Sequence, residues 1–262
     1  MKKIIFLLTV SLFSLVSCSK DDDVPTAEST DGLVLLHQTI TTTSDPMFPD
    51  IENYSYDGNH IVKISDNFGD HKDYTYSGDL ITKIDHYNIF GLEHTDYFIY
   101  NSNNLLLSYK SLYPDPLTTP TTGTGVKEVY VYNTDGTISW TKHSGDLVTQ
   151  TTLDSYGKIN FINDEISSIT TNVGSSGSVV QYTYDGSGKK YAMKNVTGWK
   201  RISFYTHEAT GVKQNIVSEI ENSSSGTTTN VTNFTYNTAL YPLTSTETLD
   251  GVDQGGTTQY IY

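Results

Sequence analysis

A β-hairpin unit recurs along this chain and constrains its fold more than any other feature. The stretch NYSYDGNHIVKIS at residues 53–65 returns as DYTYSGDLITKID at residues 73–85. In the first copy, Tyr54 and Tyr56 alternate with polar residues, the period-two pattern of a strand with one packed face. Asp57-Gly58 follows, and such a pair favours a type I′ turn, which needs positive φ at both central residues. Each unit therefore predicts one hairpin.

The aromatic-x-aromatic step of the unit occurs seven times, at uneven intervals. The steps are Tyr54/Tyr56, Tyr74/Tyr76, Phe98/Tyr100, Tyr130/Tyr132, Tyr182/Tyr184, Phe234/Tyr236 and Tyr260/Tyr262. The second aromatic residue advances from 132 to 184 and from 184 to 236, which is 52 residues each time, whereas the last interval, from 236 to 262, is 26. Each long interval therefore predicts one additional degenerate hairpin, at residues 153–169 and at residues 201–220.

This repeat predicts an all-β fold. No segment has a sustained helical period, and about 15 to 20 strands in sequential hairpins fit the chain. Because twist accumulates and free edges invite aggregation, a sheet this wide curls or closes. We expect a sequential antiparallel hairpin meander that forms a large curved or barrel-like sheet, with a stacked hairpin solenoid as the alternative. We also expect the last aromatic strand to pair near the beginning of the sheet or to cap an edge.

The first residues, MKKIIFLLTVSLFSLVSC, predict a lipoprotein signal peptide at residues 1–17. Two lysines precede an apolar run that is too short for a permanent membrane span. Cys18, the single cysteine of the chain, is the predicted lipidation site, because Leu-Val-Ser-Cys resembles a lipobox. Residues 18–31 are polar and acidic, which predicts a flexible tether after the lipidated cysteine. Residues 32–262 then form a single repeat-built β domain.

The acidic composition excludes one class of partner. The chain has 16 Lys and Arg against 30 Asp and Glu, a formal charge of −14, and loss of Lys2 and Lys3 with the signal peptide makes it −14 − 2 = −16. Such a surface repels nucleic acid and anionic headgroups, so we predict no nucleic-acid partner. We expect the membrane to be a partner through the lipid anchor, at the outer membrane and exposed at the cell surface.

Two family resemblances rest on these residues. The steps YSYDG and YTYDG resemble the YD repeats of Rhs and teneurin-type shells, although the arginine usual after the glycine is replaced by Asn59, Asp79 and Ser187. Residues 33–262 are more similar to uncharacterised Bacteroidota lipoproteins built of YxYDG hairpins with a porin-like sheet fold. The stretch SKDDD after Cys18 resembles the surface-export signal of such lipoproteins. The resemblance implies fold and location and assigns no activity.

No sequence motif indicates a reaction. A G-x-S-x-G elbow is absent, and His207-Glu208 lacks the following histidine of a zinc-binding helix. We therefore predict no enzyme, no catalytic residue and no metal centre. Four histidines of the first hairpins could nevertheless converge on one face, although single histidines on strands are commoner than ligands. They are His60, His71, His86 and His94.

We predict no cofactor, with calcium as a weak alternative. Asp250 and Asp253 lie in the glycine-rich stretch LDGVDQGG and offer hard oxygen ligands. The stretch lacks the carboxylate spacing of an EF-hand loop.

The tyrosines leave two interpretations of the repeat open. They could stack on sugar rings, or they could pack across strands with their hydroxyls toward water, and their recurrence with the hairpin favours packing. Trp140, Trp199 and Tyr113 are the possible ligand-binding residues. The repeat is most clearly broken at residues 113–125 and 223–229, where we expect a long loop and a shorter one that could carry function.

Three functions compete at this stage. The first is a non-catalytic binding or structural lipoprotein of the cell envelope, with a glycan or another envelope protein as partner. The second is a glycan-binding accessory lipoprotein that uses exposed aromatic residues. A hydrolase with an unrecognised pair of carboxylates is the third, because such a pair is defined by its separation in three dimensions and not by sequence spacing.

Overall fold

A computed structural model describes residues 33–42, 48–115, 117–118, 122–186 and 188–262. The signal peptide, Cys18 and the tether that the sequence predicts lie outside these residues. Among the described residues, no helix is both long and apolar enough to cross a bilayer.

Sixteen antiparallel strands form one closed barrel. In chain order they are β1 (Gln38–Thr42), β2 (Asp50–Asp57), β3 (His60–Asp66), β4 (His71–Ser77), β5 (Leu80–Asn88), β6 (Gly91–Tyr100), β7 (Leu106–Asp115), β8 (Thr122–Tyr132), β9 (Ile138–Asp146), β10 (Gln150–Ile162), β11 (Glu165–Val173), β12 (Ser176–Tyr184), β13 (Ile216–Ser223), β14 (Gly226–Tyr236), β15 (Pro242–Leu249) and β16 (Val252–Ile261). Each strand pairs with its sequence neighbours, and β16 pairs with β1, where Tyr260 lies opposite Thr39. The predicted barrel-like meander is confirmed, as is the pairing of the last strand near the beginning of the sheet.

The repeated unit forms one hairpin, as predicted. Tyr54 lies opposite Ile64, and both side chains face the barrel interior. Asp57 pairs with His60, so the central residues of the turn are Gly58 and Asn59. Of Asp57, Gly58 and Asn59, only Gly58 has positive φ, at +60°, so the predicted type I′ turn centred on Asp57-Gly58 is wrong. The second tyrosine of a step ties its hairpin to another part of the wall, since Tyr100 Oη donates to the Ile81 carbonyl at 2.7 Å.

The two degenerate units predicted from the spacing have different outcomes. Residues 153–169 do form a hairpin, β10–β11, which turns at Asn163 and Asp164 with positive φ at both. Residues 201–220 do not, and only their last part belongs to a strand. Their apolar side chains, including those of Ile202 and Phe204, are buried inside the barrel, so this stretch packs against the wall instead of pairing within it.

The two predicted loops are shorter than expected. Strand β7 extends to Asp115 and β8 begins at Thr122, so most of residues 113–125 belongs to paired strands. Residues 223–229 contain a tight turn between β13 and β14, where Ser223 lies opposite Gly226. The Ser- and Thr-rich composition here belongs to strands with a polar outer face.

The segment at residues 185–215, here called the plug, enters the lumen between β12 and β13. It includes two short 3₁₀ helices, Trp199–Ile202 and Tyr205–His207. Ile202 and Phe204 join the larger buried cluster of the wall, and Met193 joins the smaller one. Because burial of such a side chain contributes about 1.5–3 kcal/mol, the plug is part of the folded core.

The barrel has two different ends. At the aromatic end lie the turn at Asp57-Gly58, the aromatic steps and the plug's connections to β12 and β13. At the other end, here called the open end, the turns between strands expose apolar side chains. They are Phe68, Ile89, Phe90, Leu117, Val148 and Val252.

Part of the outer face of the barrel, on β3 to β6, is polar. Lys63 and Asp73 lie opposite each other between inward-facing isoleucines, with Nζ 3.6 Å from Oδ1. Asp85 lies opposite Asp73, and Thr95 Oγ1 donates to Asp85 Oδ1 at 2.8 Å. A strand that faces lipid carries apolar side chains at such positions, because a lysine at the bilayer midplane costs about 2–4 kcal/mol. Further along the wall the outward positions include exposed apolar side chains, those of Tyr97, Ile99, Leu107 and Val131, so the outer face as a whole is mixed.

Candidate functional site

Of the three aromatic residues singled out from sequence, only Tyr113 presents an exposed ring. It is 40% exposed near the open end, whereas Trp140 is 1% exposed in the core. Trp199 packs from the plug against both buried clusters. The structure thus removes Trp140 from solvent and partly buries Trp199. It stacks the Tyr113 ring on His94 with centroids 4.7 Å apart.

Two buried carboxylates hold the plug in the lumen. Glu165, on β11, accepts hydrogen bonds from the main-chain N–H groups of Val212 at 3.0 Å, Lys213 at 2.7 Å and Gln214 at 2.9 Å. Glu128, on β8, lies 3.0 Å from His207 Nε2, an ion-pair distance. The His207 ring stacks on Trp140 at 3.6 Å. Since a buried carboxylate needs such partners, the wall and the plug stabilise each other.

An acid-lined cavity remains beside the plug. Two adjoining hollows of about 250 and 300 Å³ share Glu219 and Asn230. Four carboxylates line them, and no lysine or arginine does. These are Glu208 of the plug, Glu219 and Glu221 of β13, and Glu247 of β15.

Strand register brings these groups onto one inward face. Glu219 lies opposite Tyr182 on one side and Asn230 on the other. Glu247 lies opposite Thr232, two residues along β14 from Asn230, so it has the same inward direction as Glu219 and lies one step further along the wall. Aromatic rings complete the wall, those of Tyr182, Phe234 and Tyr260.

The carboxylates of this cavity disfavour one another's charge. Burial raises the pKa of Glu219 above its usual range, and the nearby Glu208 and Glu247 raise it further. A positively charged ligand would relieve this repulsion, and the aromatic walls would pack on its apolar parts. The arrangement can therefore bind a small organic cation. Sequence analysis missed this cavity. Its carboxylates are far apart in the chain, and only the register of the paired strands shows that they face the barrel interior together.

The wall opposite this cavity carries a histidine cluster. His86 and His94 lie opposite each other across β5 and β6, with their rings stacked at 3.9 Å. His86 Nε2 lies 2.9 Å from Asp96 Oδ2, and Tyr109 Oη donates to Asp96 Oδ1 at 3.0 Å. Burial lowers the pKa of His94, and the neighbouring His86 lowers it further.

The other two histidines of the first hairpins are outside this cluster. His60 packs edge-on against Tyr76, and His71 stacks on Tyr87. His71 and His86 nevertheless line one hollow, so the convergence that the sequence allowed occurs in part.

The aspartates considered for calcium serve the last hairpin. Asp250 Oδ1 accepts from the N–H of Thr229 at 2.7 Å, and Asp253 Oδ1 accepts from the N–H of Gly255 at 2.8 Å. These bonds account for their place in a glycine-rich turn, and a calcium site there stays a prediction.

A third hollow, of about 230 Å³, opens at the aromatic end. Lys200 and Arg201 line it together with Asp164 and apolar residues. Lys200 Nζ lies 3.6 Å from Asp164 Oδ2, so part of the positive charge is already paired.

Comparison with solved structures supports the barrel fold. A porin-like protein from Bacteroides vulgatus ATCC 8482 matches with a TM-score of 0.61 at 14% identity, over 87% of this chain and 98% of its own. A porin-like protein from Bacteroides uniformis ATCC 8492 matches with a TM-score of 0.52 at 11% identity, over 90% of this chain and 98% of its own. No protein-family model and no curated protein matches the chain. At these identities the chain is similar to porin-like proteins in fold.

Proposed function

We propose that this protein is a non-catalytic binding protein of the cell envelope that takes a small organic cation into its barrel. The observation that carries the proposal is the cavity lined by Glu219 and Glu247, which combines carboxylates, uncharged polar groups and aromatic rings without a lysine or arginine. Concave sites with a few convergent polar groups are the usual form of ligand sites. A linear polyamine has the charge and the slender shape for it.

The plug argues against a transport channel. It packs against both buried clusters, so the lumen is filled at the aromatic end. The charged pair of Lys63 and Asp73 on the outer face, 3.6 Å apart, further argues against insertion of this part of the barrel in lipid. We therefore propose that a lipid on Cys18 provides the attachment to the outer membrane, at the cell surface.

Glycan binding is less well supported. Stacking on sugar rings needs exposed aromatic faces, and of the three residues proposed for it only Tyr113 offers one. A binding role for that residue would involve the rim of the open end and not the acid-lined cavity.

A spermidine titration tests cation binding. Calorimetry on the full chain, with Cys18→Ser to avoid unwanted thiol chemistry, should show saturable binding that weakens as salt is added. Glu219→Gln combined with Glu247→Gln should raise the Kd at least ten-fold. Asp79→Asn is the matched control, because this side chain is 87% exposed at the aromatic end and should leave the Kd unchanged. No binding, or equal loss in the control, would overturn the proposal.

A further inference from the structure

We infer that His86, His94 and Asp96 form a site for a divalent transition-metal ion of the zinc type. The site lies on β5 and β6, away from the carboxylates proposed to bind an organic cation. It therefore goes beyond the proposed function and can be tested independently of it.

The donor set is suited to such an ion. One potential ligand atom from each of the three side chains lies within 4.8 Å of the other two. Two imidazole nitrogens and a carboxylate oxygen are ligands that zinc and its neighbours in the first transition row prefer over magnesium or calcium. Three protein ligands also leave a position for water.

The strands present these groups together by register. His86 and His94 are direct cross-strand partners, and Asp96 is the next residue of β6 that faces inward. The wall of the barrel thus fixes the spacing of the three Cα atoms, as a rigid scaffold for a metal requires.

The Asp96 carboxylate is already oriented by a second residue. Tyr109 donates to Oδ1, which leaves Oδ2 directed at His86. Asp96 is only 2% exposed, so its charge has little help from water. Hydrogen bonds of this kind to a ligating carboxylate orient it and are typical of metal sites.

Two buried polar atoms beside the cluster have no hydrogen-bond partner. They are His94 Nδ1 and the hydroxyl of Ser111, which lies opposite Asp96 and is 2% exposed. Glu93 Oε2 is 3.5 Å from His94 Nδ1 but outside hydrogen-bond geometry. A bound metal and its water would give these buried atoms the partners they lack.

Closure around the ion requires a small movement of one ring. Ligand atoms in a tetrahedral zinc site are about 3.4 Å apart, given zinc–nitrogen distances near 2.1 Å. The ligand atoms of His86, His94 and Asp96, which lie within 4.8 Å of one another here, therefore have to move closer together. His94 Nδ1 has no hydrogen-bond partner, so the ring can turn without losing a hydrogen bond there. The contacts that this turn changes are the stacking on His86 and on Tyr113.

Zinc titration of the tag-free full chain tests the inference. Cys18→Ser removes the one thiol, and Mg²⁺ serves as the contrasting ion. We expect one Zn²⁺ per chain and at least a ten-fold higher Kd in His94→Gln. The metal-free unfolding temperature of His94→Gln should match that of the parent. Co²⁺ should give absorption bands of a tetrahedral site in the parent chain and lose them in this variant.

Matched variants distinguish zinc binding at this site from zinc binding elsewhere on the protein. His60→Gln removes a histidine of β3 that packs edge-on against Tyr76 at the aromatic end and should leave zinc affinity unchanged. Spermidine binding should survive His94→Gln, so failure of either proposal is visible without the other. No zinc binding, equal affinity in His94→Gln and the parent, or loss only in Glu219→Gln with Glu247→Gln would overturn the inference.

Discussion

The carboxylate of Glu165, on the barrel wall, accepts a hydrogen bond from the main-chain N–H of Val212 in the plug at 3.0 Å. The next two N–H groups of the plug donate to the same carboxylate, at 2.7 and 2.9 Å. Glu165 is 5% exposed, so these bonds replace water almost completely. The wall thus fixes the main chain of the plug directly.

Loss of this carboxylate should loosen the plug. Glu165→Ala should lower the free energy of unfolding by about 2–3 kcal/mol, since hydrogen bonds to a buried charge are lost. Limited proteolysis should then cleave within residues 188–215 faster than in the parent. Asp79→Asn is the control, because its side chain is 87% exposed, lies near His60 of the wall and should cost about 0.5 kcal/mol or less. Unchanged proteolysis in Glu165→Ala would contradict the proposed role.

The contact between Gly157 and Trp140 predicts a second effect. The two residues lie opposite each other, and a Cβ at residue 157 would lie 2.7 Å from Trp140 Cζ2 and overlap the Thr170 carbonyl oxygen. Gly157→Ala should therefore destabilise the fold by about 1–3 kcal/mol in chemical denaturation. Gly186→Ala meets nothing within 4 Å and should have almost no effect. Equal stability of the two variants would show that the tryptophan is not packed as described.

The acid-lined cavity should make stability depend on pH. Because the pKa of Glu219 is raised by burial and by neighbouring carboxylates, its ionised form weakens the fold at neutral pH. Glu219→Gln should thus stabilise the protein by up to about 1 kcal/mol at pH 7 and by nothing below the usual glutamate pKa of about 4.3. Denaturation at both pH values measures this. A gain that is the same at low pH would point to another cause.

Tyrosine titration distinguishes packed rings from exposed platforms. Burial raises the pKa of Tyr76 and Tyr182 to about 12, against an ordinary value near 10. Since unfolded tyrosines ionise first, stability should fall as pH rises from about 10 to 12. Ultraviolet difference spectra should show most phenols ionising only with unfolding. Reversible ionisation of most of them near pH 10 would favour exposed rings.

Much of the fold is predictable because its signals are local. The tight turn at Asp57-Gly58 and the alternation around Tyr54 identify a hairpin within a dozen residues. Once the hairpins follow one another in sequence, the remaining question is whether the sheet closes into a barrel. It does so where the last strand, which ends at Ile261, pairs with Gln38 of the first.

The plug and the sites are not predictable from such signals. Residues 201–220 have enough β-branched side chains to suggest a hairpin, and only packing in the lumen makes them a plug. His86 meets His94 through the register of one hairpin, which also contains an irregularity after His86. Glu219 and Glu247 share an inward face only because two intervening strand pairings place both on it.

The most direct test of this account is a membrane fractionation that compares the full chain with a variant that cannot receive a lipid at residue 18. The parent and Cys18→Ala should be expressed in a bacterium that processes lipoproteins, and membranes should be washed with alkaline carbonate. A plugged barrel with a charged pair, Lys63 and Asp73, on its outer face predicts that the parent stays with the membrane and that Cys18→Ala moves to the soluble fraction. Retention of Cys18→Ala in the washed membrane would show that the barrel itself is embedded in lipid, and would contradict the account.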